Sequence, residues 1–383
     1  MPRAKSKRAD MKVGWKTEPI GEVCEIVNGG TPKTGVAEYW DGSHQWITPA
    51  EMGKRSTPYI DETARKLTDA GMANSSAQLL PPFSVILSSR APIGHLVINT
   101  AAMATNQGCK GLVPSKAIHH KFLYYYLTSI VDLLNELGTG ATFKELSGSK
   151  LKEVPVPIPP LPEQKRIVGI LDEAFEGIAT AKANAEKNLQ NARALFESYL
   201  QSVFTQRGDG WVEKPLGECF KLKSGDSLTS KAMNAGAYPV FGGNGIAGMH
   251  NEFNLSGNNV IIGRVGALCG NARHINENIW LTDNAFRVID FSHEFDGAFL
   301  TYLLNYKNLR SLARQAAQPV ISNSSLKDLI LNFPGLPEQR RIVTKLDSLR
   351  EETQRLESIY QQKLAALDEL KKSLLNQAFT GQL

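Results

Sequence analysis

The sequence lacks the marks of membrane proteins, secreted disulfide scaffolds and zinc proteins. No apolar run approaches the ~18 residues that a membrane-spanning helix needs. Segment 1–10 is basic and polar, without the apolar core of a signal peptide. The four cysteines are widely spaced and form no CxxC pair, so neither a zinc site nor a disulfide framework is indicated. These absences fit a protein of the reducing cytoplasm.

Signals of catalysis are also scarce. The segment FGGNG at 241–245 fits the Gly-rich motif of adenine methyltransferases, but their Asp/Asn-Pro-Pro-aromatic motif is missing. In LPPF at 80–83, Leu80 stands where that motif requires a polar residue. A Gly-rich turn between two strands is therefore the better interpretation. Since Walker, nucleophile-elbow and metal-binding patterns are absent as well, we expect no catalytic, metal or cofactor site built by this chain alone.

Most of the excess positive charge lies in the N-terminal tail. The net charge is +5, and residues 1–9 carry four positive charges and no negative one. Because the remaining charges nearly balance, bulk charge gives no argument for nucleic acid. Any basic surface facing DNA must come from uneven placement of charges.

What the sequence does contain is a duplicated segment. LPEQKRIVGILD occupies 161–172, and LPEQRRIVTKLD occupies 336–347. Each opens a stretch of 43 residues, 162–204 and 337–379, with no proline after its first position. Proline followed by glutamate is typical of a helix start. At ~1.5 Å per residue, the two helices would each be roughly 65 Å long.

Heptad spacing predicts that these two helices pair as an antiparallel coiled coil. One seam of the second helix consists of Leu346, Thr353, Tyr360, Leu367 and Leu374, and its companion of Leu349, Leu356, Lys363 and Leu370. The corresponding seam of the first helix consists of Leu171, Ile178, Ala185, Ala192 and Tyr199. An Ala-rich helix would thus face a Leu-rich one. Two separate amphipathic helices, each lying on its own domain, are the alternative.

A globular domain precedes each helix, and both domains follow one order of motifs. Strand-like runs at 84–87 and 259–262 are each followed by an arginine, Arg90 and Arg264. TNQG at 105–108 then matches TDNA at 282–285, and helical stretches follow at 121–137 and 298–312. This order predicts an α+β fold with two similar mixed α/β domains, two long antiparallel helices and a pseudo-two-fold. The predicted parts are a basic tail at 1–10, domain one at 11–160, a long helix at 161–205, domain two at 206–335 and a second long helix at 336–383.

Both domains carry side chains suited to DNA. Arginine can bond guanine bidentately or hold a phosphate, and Asn, Gln and Asp suit adenine or cytosine edges. The same side chains can instead pair with carboxylates or satisfy turn backbone within the fold. The candidate DNA-binding residues are Lys54, Arg55, Arg90, Asn106, Gln107, Lys223, Lys231, Arg264, Asp283 and Asn284. Positions shared by both domains cannot give different preferences, so we expect the divergent loops 48–59 and 227–236 to carry specificity.

Five segments carry a resemblance to a known family. They are LPEQKRI at 161–167, LPEQRRI at 336–342, ATNQG at 104–108, YPVFGGNG at 238–245 and NQAFTG at 376–381. With them the chain resembles the specificity subunits of type I restriction–modification systems, over essentially its whole length from Trp15. The resemblance implies two target recognition domains, each reading one half of a bipartite target in double-stranded DNA. It also implies that the helices dock two methyltransferase subunits. Because two rigid helices of equal length would join the two domains, we expect the helices to set the gap between the half-sites.

On this resemblance the chain is a non-catalytic, cytoplasmic subunit that does not contact a membrane. S-adenosylmethionine, ATP and magnesium are expected in partner subunits, and restriction subunits can join. The candidate docking residues at the helix starts are Glu163, Gln164, Arg166, Glu338, Gln339 and Arg341. Two other classes stay open: a recognition subunit of another defence complex, and a non-DNA adaptor that uses its coiled coil as a spacer.

Overall fold

The computed structural model describes residues 14–55, 57–140, 144–206, 208, 210–314 and 319–383, so the basic tail lies outside the described residues. The chain divides into two compact units. Unit one comprises residues up to Asn184 together with Lys363–Leu383, and unit two comprises Ala185–Gln362. Each unit thus contains one globular domain and a part of each long helix.

Domain one is built from short strands and helices. Its strands are β1 (Lys16–Pro19), β2 (Cys24–Asn28), β3 (Trp40–Ile47), β4 (Tyr59–Ile60), β5 (Arg65–Leu67), β6 (Val85–Ser89), β7 (Ile93–Asn99), β8 (Met103–Thr105), β9 (Cys109–Pro114) and β10 (Pro155–Ile158). Its helices are α1 (Ile20–Val23), α2 (Pro49–Met52), α3 (Asp69–Ala73), α4 (His120–Ser129), α5 (Val131–Leu137) and α6 (Gly148–Lys152).

These strands form three sheets. A five-stranded sheet has the order β2-β9-β6-β7-β4, and a small sheet has the order β5-β3-β8. In the small sheet β3 pairs antiparallel with β5 and parallel with β8. The pair β1–β10 brings the two ends of the domain together. Strand β6 is buried at every position, which explains why its sequence is a continuous apolar run.

The first long helix, α7 (Leu161–Thr205), leads into domain two. The strands of domain two are β11 (Val212–Pro215), β12 (Lys221–Ser224), β13 (Tyr238–Gly242), β14 (Gly245–His250), β15 (Asn259–Gly263), β16 (Ala272–Ile275), β17 (Trp280–Leu281), β18 (Ala285–Ile289) and β19 (Ile330–Phe333). Its helices are α8 (Leu216–Cys219), α9 (Gly297–Tyr306) and α10 (Asn323–Leu326), and the second long helix is α11 (Leu336–Thr380).

Domain two repeats the plan of domain one. Its larger sheet has the order β12-β18-β15-β16, its small sheet β14-β13-β17, and β11 pairs with β19. As in domain one, the small sheet has a central strand with one parallel and one antiparallel neighbour. The Gly-rich segment 241–245 is the tight turn between β13 and β14, so the turn interpretation is confirmed. The α+β fold with two similar domains is confirmed.

The predicted helical stretches are each interrupted. The stretch 121–137 divides into α4 and α5 at Ile130, where ψ is 19°. The stretch 298–312 divides into α9 and a short 3-10 helix, Leu309–Leu312. No long helix in the described ranges is apolar enough to cross a membrane.

The two long helices pack antiparallel within each unit. In unit one, the N-terminal part of α7 meets the end of α11, where Arg166 Nη2 donates to the backbone oxygen of Leu383 at 2.8 Å. In unit two, Arg193 lies 3.4 Å from Glu357. The predicted seams are buried at Leu171 and Leu346, both 0% exposed.

The paired helices are therefore confirmed, and the alternative of two separate helices is wrong. The companion seam is less regular than its spacing suggested. Leu370 is 47% exposed, and Lys363 is exposed as well. Because the seam opens there, that stretch of α11 presents side chains to solvent.

Each globular core continues onto the long helices. In unit one, Phe122 and Leu123 of α4 belong to the same buried cluster as Ile167 and Leu375. In unit two, Phe299 and Leu300 of α9 belong to one cluster with Phe204, Ile342 and Leu346. The helices are therefore part of each domain's core, and apolar burial of this kind is the main stabilising contribution to such packing.

Candidate nucleic-acid interface

In both domains, the same backbone turn follows the last strand of the small sheet, β8 in domain one and β17 in domain two. In domain one, the Oδ1 atom of Asn106 accepts a hydrogen bond from Gly108 N at 2.9 Å. In domain two, the Oγ1 atom of Thr282 accepts one from Asn284 N at 3.4 Å. Asn106 therefore corresponds to Thr282, and the sequence match that paired Asn106 with Asp283 is wrong by one residue.

A glycine packs directly against this turn in each domain. A Cβ atom on Gly29 would lie 1.8 Å from the carbonyl oxygen of Asn106, and one on Gly225 would lie 2.1 Å from that of Leu281. No side chain fits at either position, so glycine is required there. The sequence signal for this contact is the Gly-containing segment that follows β2 and β12.

The two arginines are not at equivalent positions either. The carbonyl oxygen of Ser89 accepts from Leu146 N at 2.9 Å, and that of Arg264 accepts from Ile321 N at 3.0 Å. Arg264 thus corresponds to Ser89, and Arg90 lies one residue further along. Since neighbouring residues of an extended chain point to opposite faces, the pairing of the two arginines by sequence is wrong.

The surroundings of the two arginines differ accordingly. The guanidinium of Arg90 lies 3.8 Å from the carboxylate of Glu145. Arg264 donates through Nη1 to the backbone oxygen of Asp283 at 3.3 Å, and its guanidinium lies 5.4 Å from the ring of Phe286. Its Nε atom is buried and has no partner among the described residues. Both side chains are thus partly engaged inside the fold.

The remaining candidates of domain one lie around α2 and the turn. Arg55, which follows α2, lies 3.2 Å from the carboxylate of Glu51 and donates to the backbone oxygen of Glu62 at 2.7 Å. Its neighbour Lys54 is exposed. Gln107 is exposed at the turn and accepts a hydrogen bond from Thr31. All three residues are exposed, but the guanidinium of Arg55 is already engaged by Glu51 and Glu62.

Domain two has a cleft that brings several candidates together. The cleft of ≈ 540 Å³ lies between the loop 227–233, the hairpin turn 242–247 and the segment Thr282–Asn284. Asp283 and Asn284 are exposed in its wall. The loop belongs to the divergent segment 227–236, so the cleft joins a variable element to the shared turn. We call it the domain-two cleft.

The two lysines of domain two lie at different places. Lys231 is exposed on the short 3-10 helix Ser230–Ala232, within the loop that borders the domain-two cleft. Lys223 is exposed on β12 and lines a separate, smaller hollow with Arg287. The structure therefore places Lys231, and not Lys223, beside the cleft.

At the start of each long helix, a buried glutamine clamps its domain. Gln164 is 0% exposed; it accepts from His119 N at 2.8 Å and donates to the carbonyl oxygens of Ala117 at 2.9 Å and Pro159 at 2.8 Å. We call this arrangement the glutamine clamp. All polar atoms of its amide group are used inside the chain. The prediction that Gln164 contacts a partner stays a prediction, but its side chain has a structural role.

The second clamp has the same geometry. Gln339 is also 0% exposed; it accepts from Asp296 N at 2.9 Å and donates to the carbonyl oxygens of Glu294 at 3.1 Å and Pro334 at 2.9 Å. Both clamps join the helix start to the segment that precedes α4 or α9. This explains the identical Leu-Pro-Glu-Gln segments in structural terms.

The other candidate docking residues form surface ion pairs. Arg166 Nε donates to Glu163 at 2.7 Å, and Arg341 donates to Glu338 at the same distance. The hydrogen bond from Arg341 lowers the pKa of the Glu338 carboxyl. Both arginines are exposed, so these two pairs are available on the surface of the helix starts.

Sequence reasoning missed a tyrosine–aspartate contact in each unit. Tyr302 Oη donates to Asp347 at 2.6 Å, and Tyr125 Oη donates to Asp172 at 2.5 Å. Burial and this hydrogen bond raise the pKa of Tyr125. Lys121 adds an ion pair to Asp172 at 2.7 Å. The signal was the aspartate at the end of each duplicated segment, LPEQ…LD.

Within the described ranges, no group of His, Cys, Asp and Glu side chains is arranged to hold a metal ion. The four cysteines are free and buried. Burial raises the pKa of Cys24 to about 12, so its thiol stays protonated at neutral pH.

Comparison with known proteins agrees with this architecture. The family model for the type I restriction modification DNA specificity domain matches residues 12–190 and 208–365. The specificity subunit of the type I restriction enzyme MjaIX from Methanocaldococcus jannaschii is 31% identical over 233 residues, which cover 57% of this chain and 54% of that protein. The EcoprrI specificity subunit from Escherichia coli is 28% identical over 358 residues, covering 88% of this chain and 87% of that one. The first match thus spans about half of its relative, and the second most of it.

Two solved structures share the fold. A chain from a structure of the type I R-M system, described for its complex assembly and conformational transition, has a TM-score of 0.78 at 19% identity, covering 98% of this chain and 100% of that chain. The HsdS subunit from Thermoanaerobacter tengcongensis has a TM-score of 0.67 at 19% identity, covering 98% and 99%.

Two similar α/β domains, each joined to a long helix and each with the same glycine-backed turn, form an internal repeat. The chain belongs to the type I restriction modification DNA specificity domain family, since that family's model matches both repeats.

Proposed function

We propose that domain one and domain two each read one half of a bipartite target in double-stranded DNA, within a type I restriction–modification complex. The observation that carries this proposal is the domain-two cleft. There the shared turn at 282–284 lies beside the divergent loop 227–233. A fixed frame next to a variable loop is the arrangement that lets one fold read different sequences.

The chemistry of the cleft suits base edges in the major groove. Asp283 accepts hydrogen bonds, as needed for cytosine N4, and the Asn284 amide both donates and accepts, as needed for adenine. In domain one, the exposed Gln107 takes the corresponding role, and Lys54 supplies a cation for phosphate. Arg55 and Arg90 pair with carboxylates, so they contribute less to DNA contact than their sequence positions suggested.

We also assign partner docking to the long helices. Among the described residues, four large apolar side chains on them are exposed: Leu161 at 41%, Leu195 at 51%, Ile359 at 43% and Leu370 at 47%. Exposed apolar side chains on helices are suited to packing against partner helices. Two methyltransferase subunits would dock here, and restriction subunits would join them. S-adenosylmethionine, ATP and magnesium act in those partners, and the complex works in the cytoplasm.

A domain exchange tests whether the two domains read their half-sites independently. Residues 206–335 are replaced with the matching domain of a relative, and methylated adenines are mapped in cells that carry the partner subunits. We expect one half of the target to change and the other half to stay. A simultaneous change in both halves would contradict the proposal.

A point variant tests the cleft itself. We expect Asp283→Ala to relax the second half-site at one base pair, because a single base-edge contact is worth ~1–3 kcal/mol of discrimination. Asp290→Ala is the matched control, since Asp290 is exposed in the same domain and pairs with Lys221 at 3.2 Å. Unchanged specificity in Asp283→Ala would remove this residue from the reading surface.

We propose further that the helices set the gap between the half-sites. Four residues inserted after Gln190 lengthen α7 by about 6 Å and turn it about 40° beyond a full turn. At about 3.4 Å per base pair, the gap should grow by one or two pairs. A seven-residue insertion keeps the heptad phase and adds about 10 Å, so we expect about three pairs. An active insertion variant that keeps the original gap would show that the helices do not determine it.

A further inference from the structure

Domain one contains an arginine held on a tryptophan platform. The guanidinium carbon of Arg65 lies 3.6 Å from the ring centroid of Trp40 and 5.3 Å from that of Trp46. The two indoles pack edge to face, with centroids 5.1 Å apart and planes at 80°. A guanidinium that stacks on an aromatic face keeps its N–H edges free for hydrogen bonding in the plane.

The platform itself is firmly placed. Trp46 is 2% exposed and Trp40 is 8% exposed. Trp46 Nε1 donates to the carbonyl oxygen of Gly30 at 2.9 Å, which fixes the ring in its plane. The position of the Arg65 guanidinium is therefore set before any ligand arrives, and ordering it costs little on binding.

Arg65 differs in its partners from the other described arginines of unit one. Arg55, Arg90 and Arg166 lie 3.2, 3.8 and 2.7 Å from Glu51, Glu145 and Glu163. For Arg65 the structure shows no ion pair and no side-chain hydrogen bond within the described ranges, and the residue is exposed. A placed guanidinium with five unused donors is complementary to a coplanar pair of acceptors.

The strand that carries Arg65 lies next to the shared turn. Arg65 of β5 is opposite Trp46 of β3, and Trp46 is in turn paired with Ala104 of β8, just before the turn. In domain two the same edge of the small sheet is β14, where Gly248 is opposite Val240, the counterpart of Trp46. At this position the edge strand therefore carries a cation in one domain and no side chain in the other, as a specificity element would.

We propose that Arg65 binds a coplanar pair of acceptors on the DNA half-site read by domain one. Two acceptor pairs have this geometry: O6 and N7 of a guanine, or two oxygens of one phosphate. The inference rests on the proposed DNA reading by this domain. It adds a residue and a contact geometry that the sequence motifs did not indicate.

The experiment uses the assembled complex with its methyltransferase subunits and duplexes that carry the mapped target. Dissociation constants are measured over a range of salt concentrations for the wild type, Arg65→Ala and Arg65→Lys. Lys16→Ala is the matched control, because Lys16 is an exposed cation on β1 of the same domain. Thermal unfolding of each variant checks that the domain is intact.

If the partner is guanine, Arg65→Ala weakens binding to the target by about 10- to 100-fold. Replacing that one guanine with 7-deazaguanine in the target then weakens the wild type but not Arg65→Ala. If the partner is a phosphate, binding weakens equally on all sequences, and the log–log salt slope falls by about one. Arg65→Lys preserves charge and the aliphatic stem, so it retains the salt slope but loses guanine discrimination.

The inference is overturned if Arg65→Ala and Arg65→Lys bind the target with wild-type affinity and salt slope. It is equally overturned if both variants lower the unfolding temperature and leave target affinity unchanged, because Arg65 then only stabilises the tryptophans. In either case a bipartite methylation pattern would still support the proposed function. Loss of the bipartite pattern in the wild type would instead defeat the proposed function.

Discussion

The two units share a frame but differ in the polar groups attached to it. The glutamine clamps have the same three hydrogen bonds in both units. The residue that each clamp holds is different: His119 caps α4 in unit one, and Asp296 caps α9 in unit two. The glutamine, which satisfies three backbone groups, is the same in both units. The helix cap differs, because either a histidine nitrogen or an aspartate oxygen can accept the hydrogen bond from the first turn.

The same contrast appears beyond the clamp. In unit one, the Asp172 carboxylate accepts a hydrogen bond from Tyr125 and forms an ion pair with Lys121. In unit two, the Asp347 carboxylate accepts a hydrogen bond from Tyr302. The cation there is Arg350, whose guanidinium carbon lies 4.6 Å from the centroid of the Tyr302 ring. The tyrosine–aspartate contact is thus retained while its cation has changed place. Shared contacts tie the domains to the helices, and the unshared ones give each unit its own response to pH and mutation.

The largest effect should come from a charge placed in the helix seam. Leu171→Asp in unit one and Leu346→Asp in unit two each bury an unpaired carboxylate at a site that is 0% exposed. We expect each to lower the free energy of unfolding by about 4 kcal/mol. Chemical denaturation measures this loss, and co-purification with methyltransferase subunits should fail in parallel.

Leu370→Asp is the control for this pair, since Leu370 lies on α11 but is 47% exposed. We expect a change of less than about 0.5 kcal/mol in the isolated chain. A large loss in only one of the two seam variants would show that the helices stabilise the two units unequally.

The glutamine clamps should give the next largest effect. Gln164→Leu and Gln339→Leu each leave one N–H and two carbonyl groups without their partner. At ~1–3 kcal/mol per buried unsatisfied group, we expect a loss of at least about 3 kcal/mol in each unit. Hydrogen exchange of α4 and α9 would assign the loss to the correct unit.

Gln190→Leu serves as the matched control, because Gln190 is an exposed glutamine on the same helix as Gln164. We expect it to leave the free energy of unfolding unchanged. Equal losses in the two clamp variants would support an equivalent frame. An unchanged free energy of unfolding in Gln164→Leu would mean that the first clamp is not required for stability.

The smallest effect should be a response of unit one to acid. His119 Nδ1 accepts from Lys121 N at 3.3 Å, which requires a neutral ring. Burial, with nearby Lys165 and Lys121, lowers the pKa of His119 below its usual 6.5, although Asp172 opposes this. Burial also lowers the pKa of the adjacent His120, to about 4.

Because the folded pKa is the lower one, the unfolded chain binds more protons just below pH 6.5. The free energy of unfolding of unit one should therefore fall as the pH drops from about 6.5 toward the folded pKa. Both rings are partly exposed, so we expect less than about 1 kcal/mol from His119. Hydrogen exchange at the start of α4, corrected for intrinsic rates, should show the loss, and the start of α9 should not show it.

His119→Asp combined with His120→Gly copies the Asp296–Gly297 pair of unit two. We expect this variant to remove the selective loss of protection in α4 between pH 6.5 and 5. If α4 in the variant still responds to acid more than α9, the histidines are not the cause.

The long helices were predictable from sequence because their signal is local and repetitive. Proline at the start, an absence of proline thereafter and a heptad pattern placed them within a residue or two of the observed bounds, Leu161–Thr205 and Leu336–Thr380. Strands β6 and β15 were found for a similar reason, since each is a short apolar run. Each of these elements is determined by neighbouring residues in the chain.

The residue-by-residue correspondence between the two domains was harder to predict from the sequence. Matching Arg90 with Arg264 paired two arginines that the backbone hydrogen bonds place one residue apart. Matching by residue type cannot detect such a shift, because the register depends on partners more than 50 residues away, Leu146 and Ile321. The tryptophan platform of Arg65 was hidden for the same reason. Its residues belong to different strands, and only pairing across the sheet brings them together.

The division of the chain into units has a consequence for synthesis on the ribosome. Unit two is one continuous segment, Ala185–Gln362, whereas unit one needs Lys363–Leu383 to be complete. Leu375 and Ala378 belong to its buried core. The first domain to emerge is therefore the last to finish, and at ~5–20 residues per second it waits on the order of ten to forty seconds. During that time the apolar face of α7 near Leu171 does not yet pack against Lys363–Leu383. We therefore expect the nascent chain to depend on chaperones, or on early binding of a partner, until this segment has been synthesised.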